Sequence, residues 1–327
     1  MILRDPGLVI ADRWQRGFPL CARPYAEIGA AHDLSEQEVI ASLGALLANA
    51  SLGRVGAVVR PNTAGASTLA ALSCPPERIG EVAAIVSGEP YVNHNYERGQ
   101  AINLWFVVAA PSERELSATL RRIAGKTGLE VLDLRLERPY HIDLGFRLAK
   151  KHTKIPAGGE VRQATTLERG ILAAIENGLP LVPRPYLAVA RGLGLSEQAV
   201  IEMLGGLVAD GIIARLGCVL RHRTIGFTAN AMAVWNVPDG RVDEVGLRLA
   251  AQDDVTLCYR RNRFPPSWRY NLFAMIHGRR EAEVRARIGE LAAQCGLADY
   301  SHDVLFSRRC FIQRGARFAL PVQEAAA

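Results

Sequence analysis

The chain contains itself twice. GFPLCARPYAEIGAAHDLSEQEVIASLGALLANASLGRVGAVVR, starting at Gly17, lies over GLPLVPRPYLAVARGLGLSEQAVIEMLGGLVADGIIARLGCVLR, starting at Gly178, and about 20 of 44 positions match without a gap. Self-similarity of this density exceeds shared composition and makes each half one structural unit. Weaker matches extend the repeat: Val92 to Arg98 over Val255 to Arg261, Asn103-Leu104-Trp105 over Asn271-Leu272-Phe273, and Gly145-Phe146-Arg147 over Gly315-Ala316-Arg317. Each unit therefore runs to about 150 residues, enough for two small domains.

Within a unit the periodicity changes once. Asp5-Pro6 reads as an N-cap with proline at the first helical position, Pro24 to Ala31 suits a second helix, and Ser35 to Glu38 forms a capping box ahead of Val39, Ile40, Leu43, Leu46 and Leu47 at helical spacing. A short β element, Arg54 to Arg60 or Arg215 to Arg221, completes a winged helix-turn-helix outline. Beyond it the order becomes β-α-β-β-α-β: strand Thr68 to Ser73, helix Pro76 to Ser87, strands Tyr91 to Arg98 and Ala101 to Ala109, helix Glu113 to Thr127 and strand Val131 to Arg138.

The expected fold is α+β, a tandem duplication of a winged helix-turn-helix module and a ferredoxin-like domain. The modules fall at residues 1–62 and 166–224, the ferredoxin-like domains at 63–150 and 225–320, with a Pro- and Gly-containing linker over 151–165. Ferredoxin-like domains pair their sheets, so two copies on one chain predict an internal pseudo-symmetric dimer.

Composition excludes several classes. With 49% hydrophobic and 22% charged residues the chain is globular, and only the tail Ala325 to Ala327 is of low complexity. The opening MILRDPGLVIADRW interrupts its apolar residues with Arg4, Asp5 and Asp12, and no run approaches about 18 apolar residues, which predicts a cytoplasmic protein without membrane contact. Six scattered cysteines without a CxxC pair argue against a zinc ribbon or disulfide scaffold. The formal charge of +6 implies an acidic partner without identifying it.

The recognition-helix region argues against DNA. Ser35 to Gly53 contains no Lys or Arg and carries Glu36 and Glu38, and Ser196 to Ala214 repeats the absence and adds Glu197, Glu202 and Asp210. A major-groove helix presents cationic and amide side chains to bases and phosphates, whereas carboxylates there repel them. The cations gather elsewhere: Arg260, Arg261, Arg263 and Arg269 lie around Phe264, Trp268 and Tyr270, and Arg308, Arg309, Arg314 and Arg317 lie in the last strand region. Read as a pocket, these clusters suit a large flat polyanion; read as loops, each is a solvated charged surface.

Strand alternation supplies the candidates for chemistry. Val92, His94, Tyr96 and Arg98 would share one sheet face, and the second copy would present Val255, Leu257, Tyr259 and Arg261. The imidazole is lost from the second copy while Tyr and Arg remain, which predicts unequal halves. His141, replaced by Phe311 in the second copy, is the other candidate. No phosphate loop, nucleophile elbow or clustered metal-ligand spacing is present.

RPYAEIGAAHDLSEQEVI, VNHNYERGQAINLWF, RPYHIDLGFRL and CYRRNRFPPSWRYNLFAMIHGR together resemble the sirohaem decarboxylases, in particular the type with fused D and L subunits of haem d1 formation, which are similar to Lrp/AsnC regulators. The resemblance implies sirohaem as substrate, loss of its C12 and C18 acetate carboxyls, and didecarboxysirohaem as product. It implies no separate cofactor, since iron arrives with the substrate, and leaves a homo-oligomer or related decarboxylase subunits open as protein partners. His94 and His141 carry over by motif match as candidate proton donors, with Tyr96 beside them. The expected substrate-binding set is Arg98, Tyr259, Arg260, Arg261, Trp268, Arg269, Asn103 and Asn271. A DNA-binding regulator and a non-catalytic tetrapyrrole sensor remain the alternatives at this stage.

Overall fold

In a computed structural model, residues 5–142, 161–221, 224 and 226–318 are described. Most of the expected linker, the Gly145-Phe146-Arg147 match, the motif residues following Ile142 and the Ala-rich tail lie outside them. The first half runs α1 (Pro6–Arg13), α2 (Pro24–Ala30), α3 (Glu36–Ala48), β1 (Leu52–Val59), β2 (Ala66–Leu72), a 3-10 turn Pro76–Arg78 leading into α4 (Ile79–Gly88), β3 (Val92–Arg98), β4 (Leu104–Ala110), α5 (Glu113–Thr127) and β5 (Leu132–Ile142). The second half repeats this as α6 (Thr166–Ala174), α7 (Pro185–Leu193), α8 (Glu197–Ala209), β6 (Ile213–Leu220), β7 (Ala229–Trp235), α9 (Val242–Ala250), β8 (Val255–Arg261), β9 (Leu272–Gly278), α10 (Glu281–Cys295) and β10 (His302–Gln313).

Helix starts follow the sequence chemistry. The Asp5 carboxylate accepts from the amides of Gly7 and Leu8, and Ser35 and Glu38 satisfy each other's backbone amides in a capping box. Thr165 and Glu168 do the same for α6. Glu36, at the first turn of α3, ion-pairs with Arg23, and Glu197 ion-pairs with Arg184 in the second copy. The acidic residues that argue against DNA thus fasten the helix-turn-helix together.

The β element expected to form a wing pairs with its own duplicate. β1 and β6 make an antiparallel two-stranded sheet, Gly56 opposite Gly217, and join the two modules over one shared core. The Tyr25 hydroxyl donates to the Pro180 carbonyl (3.2 Å) and the Tyr186 hydroxyl to the Pro19 carbonyl (2.7 Å), a reciprocal latch across the pseudo-two-fold.

The ferredoxin-like halves also fuse. Each four-stranded sheet has the order β5-β2-β4-β3 or β10-β7-β9-β8, and β5 pairs with β8 while β10 pairs with β3, so eight strands close into a barrel. Alternation divides the side chains. In β4, Leu104, Phe106 and Val108 face outward beneath α4 and α5, whereas Trp105 packs inward with Leu69, Leu134, Met232, Tyr259, Phe273 and Leu305. Tyr140 of β5 crosses to the second half, where its ring meets Gly246 of α9 and its hydroxyl donates to Asp243 (2.5 Å).

Candidate active site

A cavity of about 750 Å³ lies between the barrel interior and the paired helix-turn-helix modules. This is toward the upper end of ordinary small-molecule sites. Its walls are residues of β2, β3, β4, β7, β8, β9 and β10; its roof is β1, the ends of β6 and α6, and the chain after β10. The paired helix-turn-helix modules close over the cavity through β1, β6 and the end of α6.

Strand β3 contributes Asn93, His94, Tyr96 and Arg98 to the wall. Val92 does not join them: the β3–β4 register shifts between Val92 and His94, and the bulge turns Val92 into the outer core under the helices. β8 has the same shift between Val255 and Leu257, so Val255 also points outward while Thr256, Leu257, Tyr259 and Arg261 line the cavity. The expectation of a continuous alternating wall is thus corrected at its first residue in both copies.

The two arginines are related by the pseudo-two-fold. Arg98 Nη1 donates to the Leu305 carbonyl (2.7 Å) and Arg261 Nη1 to the Leu134 carbonyl (2.6 Å), each reaching the last strand of the opposite half. Both keep a buried Nε without a hydrogen-bond partner. Burial lowers both pKa values, Arg98 to about 10, which leaves the Arg98 guanidinium charged at neutral pH. A buried donor without an acceptor signals a ligand group, and a carboxylate is the natural complement of a guanidinium fork. Each guanidinium also lies over its own tyrosine, Arg98 at 5.9 Å from the Tyr96 ring and Arg261 at 4.5 Å from Tyr259.

His94 is half-buried and its Nδ1 lies 3.3 Å from the Tyr96 hydroxyl. Burial first and the Arg54 guanidinium second depress its pKa to about 4, so the imidazole is neutral at pH 7. His141 is buried within β5, which extends past the expected end at Arg138, and it does not line the cavity, although Ile142 next to it does.

The rest of the expected substrate-binding set stands away from the cavity. Arg260 alternates with Arg261 and so faces outward, paired with Glu137 (2.6 Å) and Asp239 (3.3 Å). Asn103 bonds both backbone groups of Cys74, and Asn271 does the same at Val237, so the repeated asparagines tie the end of β2 to the start of β4 and the end of β7 to the start of β9. The extra residues of the second copy fold back through a reciprocal Phe264–Trp268 backbone pair, and Trp268 packs edge-on against Trp105, 4.9 Å between ring centroids. That contact lies at the start of β4, whereas the modules join at the start of β2, opposite the end of β4 at Ala110. Trp268 therefore plugs the far end of the barrel, and Arg269 lies exposed over Tyr270.

Sequence reasoning missed the roof. Arg54, Arg60 and Arg221 reach the cavity from the duplicated strand and its exits; of the expected last-strand cluster, Arg314 joins them after β10. The signal was present in the arginine that ends both GRVGAVVR and ARLGCVLR, but its direction depends on β1 pairing with β6. His277 was missed as well. Two steps beyond Met275 on β9, it lines the cavity, with Nδ1 2.5 Å from Asn230 Oδ1 and Nε2 2.9 Å from Thr256 Oγ1.

Fold and site together define a duplicated ligand-binding protein whose helix-turn-helix modules serve as the roof of its site. Matches to family models agree: the AsnC-like ligand binding domain covers residues 64–141 and 224–311, and the Siroheme decarboxylase NirDL-like HTH domain covers 10–51 and 168–213. The Siroheme decarboxylase NirDL subunit of Paracoccus denitrificans is 42% identical over 98% of this chain and 99% of its own length. The Siroheme decarboxylase NirL subunit of Stutzerimonas stutzeri matches 46% of this chain at 46% identity, over 88% of its length. The crystal structure of the siroheme decarboxylase NirDL in co-complex with an iron-uroporphyrin III analogue superposes with a TM-score of 0.67 at 28% identity over 96% of this chain and 94% of that one. The chain belongs to the sirohaem decarboxylase family and is a decarboxylase. Among the described residues, no helix is long and apolar enough to cross a membrane.

Proposed function

We propose that this protein removes the C12 and C18 acetate carboxyls of sirohaem as CO₂, leaving methyl groups and giving 12,18-didecarboxysirohaem for haem d1 formation in the cytoplasm. Iron enters with the substrate and no separate cofactor takes part. The observation that carries this reading is the charge of the cavity: Arg54, Arg60, Arg98, Arg221, Arg261 and Arg314 surround an apolar interior large enough for a flat ligand. A tetrapyrrole edged with carboxylates has the complementary shape and charge.

In the reaction the acetate C–C bond breaks, CO₂ leaves, and the electron pair stays on the CH₂ carbon, delocalised into the macrocycle. That carbon then takes a proton to become methyl. Arg98 and Arg261 hold carboxylates through their unpartnered Nε groups. The apolar wall of Leu69, Trp105, Val107 and Met232 strips water from the reacting acetate, which favours the neutral CO₂ over the anion.

His94 supplies the first proton. In the free protein its imidazole is neutral because of burial and Arg54. Substrate carboxylates offset the Arg54 charge and add negative potential at the ring, and both changes draw a proton onto it. Binding near neutral pH is therefore expected to take up a proton, read as buffer-dependent heat in calorimetry, and His94→Ala is expected to reduce that uptake. The same variant should still titrate the sirohaem absorbance but release CO₂ about 10²-fold or more slowly, as loss of a general acid requires.

Anaerobic incubation with sirohaem, followed by mass analysis, tests the function directly. The expected product has lost two CO₂. Stoichiometric binding with no loss of mass would make the protein a tetrapyrrole carrier or sensor and overturn the reading.

A further inference from the structure

The second half lacks the His94 imidazole, yet an imidazole reaches the cavity from a different strand of that half. Leu257 occupies the His94 position, and Thr256 precedes it where the first half has Asn93. His277 of β9 stands against that hydroxyl, with Nε2 2.9 Å from Thr256 Oγ1.

The hydrogen bonds around His277 have a defined direction. Asn230 Nδ2 donates to the Phe227 carbonyl (3.1 Å), which turns Asn230 Oδ1, an acceptor, toward His277 Nδ1. Nδ1 therefore carries a proton. Thr256 Oγ1 also donates to the Met275 carbonyl (3.2 Å), and in that rotamer its oxygen lone pair accepts from a protonated Nε2. Rotated the other way, the same hydroxyl donates to an unprotonated Nε2. The site thus accommodates His277 before and after loss of one proton, with no ring nitrogen left without a partner.

We propose that Thr256 and His277 form a second proton-delivery site, on the wall of the second half, which serves one of the two acetates while His94 serves the other. This rests on the decarboxylase reading above and deepens it. When the second acetate loses CO₂, its CH₂ carbon takes the hydroxyl proton of Thr256, and the Thr256 oxygen takes the Nε2 proton of His277. The imidazolium becomes neutral imidazole, and threonine ends as it began. One cavity then holds two proton sources of different construction, a half-buried imidazole at β3 and a hydroxyl backed by an imidazole at β8 and β9.

The test is single-turnover incubation of the full chain with sirohaem under anaerobic conditions, resolving zero, one and two CO₂ losses by mass. His277→Gln keeps bulk and polarity at Asn230, and Thr256→Val keeps the shape of the threonine while removing its hydroxyl. Both are expected to pass through one CO₂ loss near the parental rate, with the second slowed about 10²-fold or more, so that the monodecarboxylated species accumulates. Thr256→Val carries the test even if the histidine variant does not fold. Parental kinetics for both losses in Thr256→Val would overturn the proposal and leave the decarboxylase function standing. Equal slowing of both losses would also overturn the division between the two sites. A parental protein that binds sirohaem and loses no CO₂ would refute the underlying function and the proposal together.

Discussion

His94 links a local environment to a measurable stability term. Its pKa of about 4 in the folded protein lies below the ordinary value of 6.5, so between these pH values the unfolded chain binds the extra proton. Stability therefore rises with pH through this window. The penalty is absent above pH 6.5 and grows as pH falls toward 4. At pH 5 it amounts to about 1–2 kcal/mol, allowing for the partial exposure of the ring. His94→Leu, which installs the residue of the second repeat, should shift in stability relative to the parent by that amount in the variant's favour between pH 7 and pH 5. Urea denaturation at the two pH values checks this, and a constant difference would mean that the ring titrates as if in water. The place of Tyr96, Arg98, Tyr259 and Arg261 on the cavity wall was legible in the sequence because each recurs at its repeat position. The neutrality of His94 was not, since it comes first from burial inside the closed cavity and then from Arg54 on a strand about forty residues away.

At the scale of elements, alternation located the site and a bulge limited it. Two-residue periodicity correctly groups His94, Tyr96 and Arg98, but it cannot register the extra residue that turns Val92 and Val255 outward. The same periodicity, applied strictly to β8, separates Arg261 from Arg260, which clustering by composition had joined. Helix α9 carries a second consequence of strand placement. A Cβ built on Gly246 would come within 2.4 to 2.8 Å of the Tyr140 ring, whereas one on Gly289 of α10 meets nothing within 4 Å. Gly→Ala in a helix ordinarily stabilises by about 0.5–1 kcal/mol through propensity. Gly289→Ala should show that gain, while Gly246→Ala should lose about 1–3 kcal/mol through overpacking at the junction of the halves. Thermal unfolding of the two variants compares them, and a gain at both sites would mean that Tyr140 moves aside without cost.

Over the whole molecule, duplication has turned what could have been two sites into one. The β5–β8 and β10–β3 seams close the barrel, the β1–β6 ladder closes the roof, and Arg98 and Arg261 each bond to the last strand of the other half. No half alone has a complete cavity wall. The repeat made the duplication legible and the ferredoxin-like order followed from it, but the closed barrel depends on which edges meet, and edge strands carry no sequence mark of their partner. Closure has a direct consequence for a divided chain. Residues 1–150 and 161–327 produced together as separate polypeptides should associate one to one and bind sirohaem, because the contacts that build the cavity are between the halves and need no covalent link. Either piece alone exposes two open sheet edges and one side of the barrel interior, and should self-associate or aggregate. Size-exclusion chromatography with multi-angle scattering, followed by titration of the sirohaem absorbance, reads both outcomes. Full sirohaem affinity in an isolated monomeric half would contradict a cavity built jointly by the two repeats.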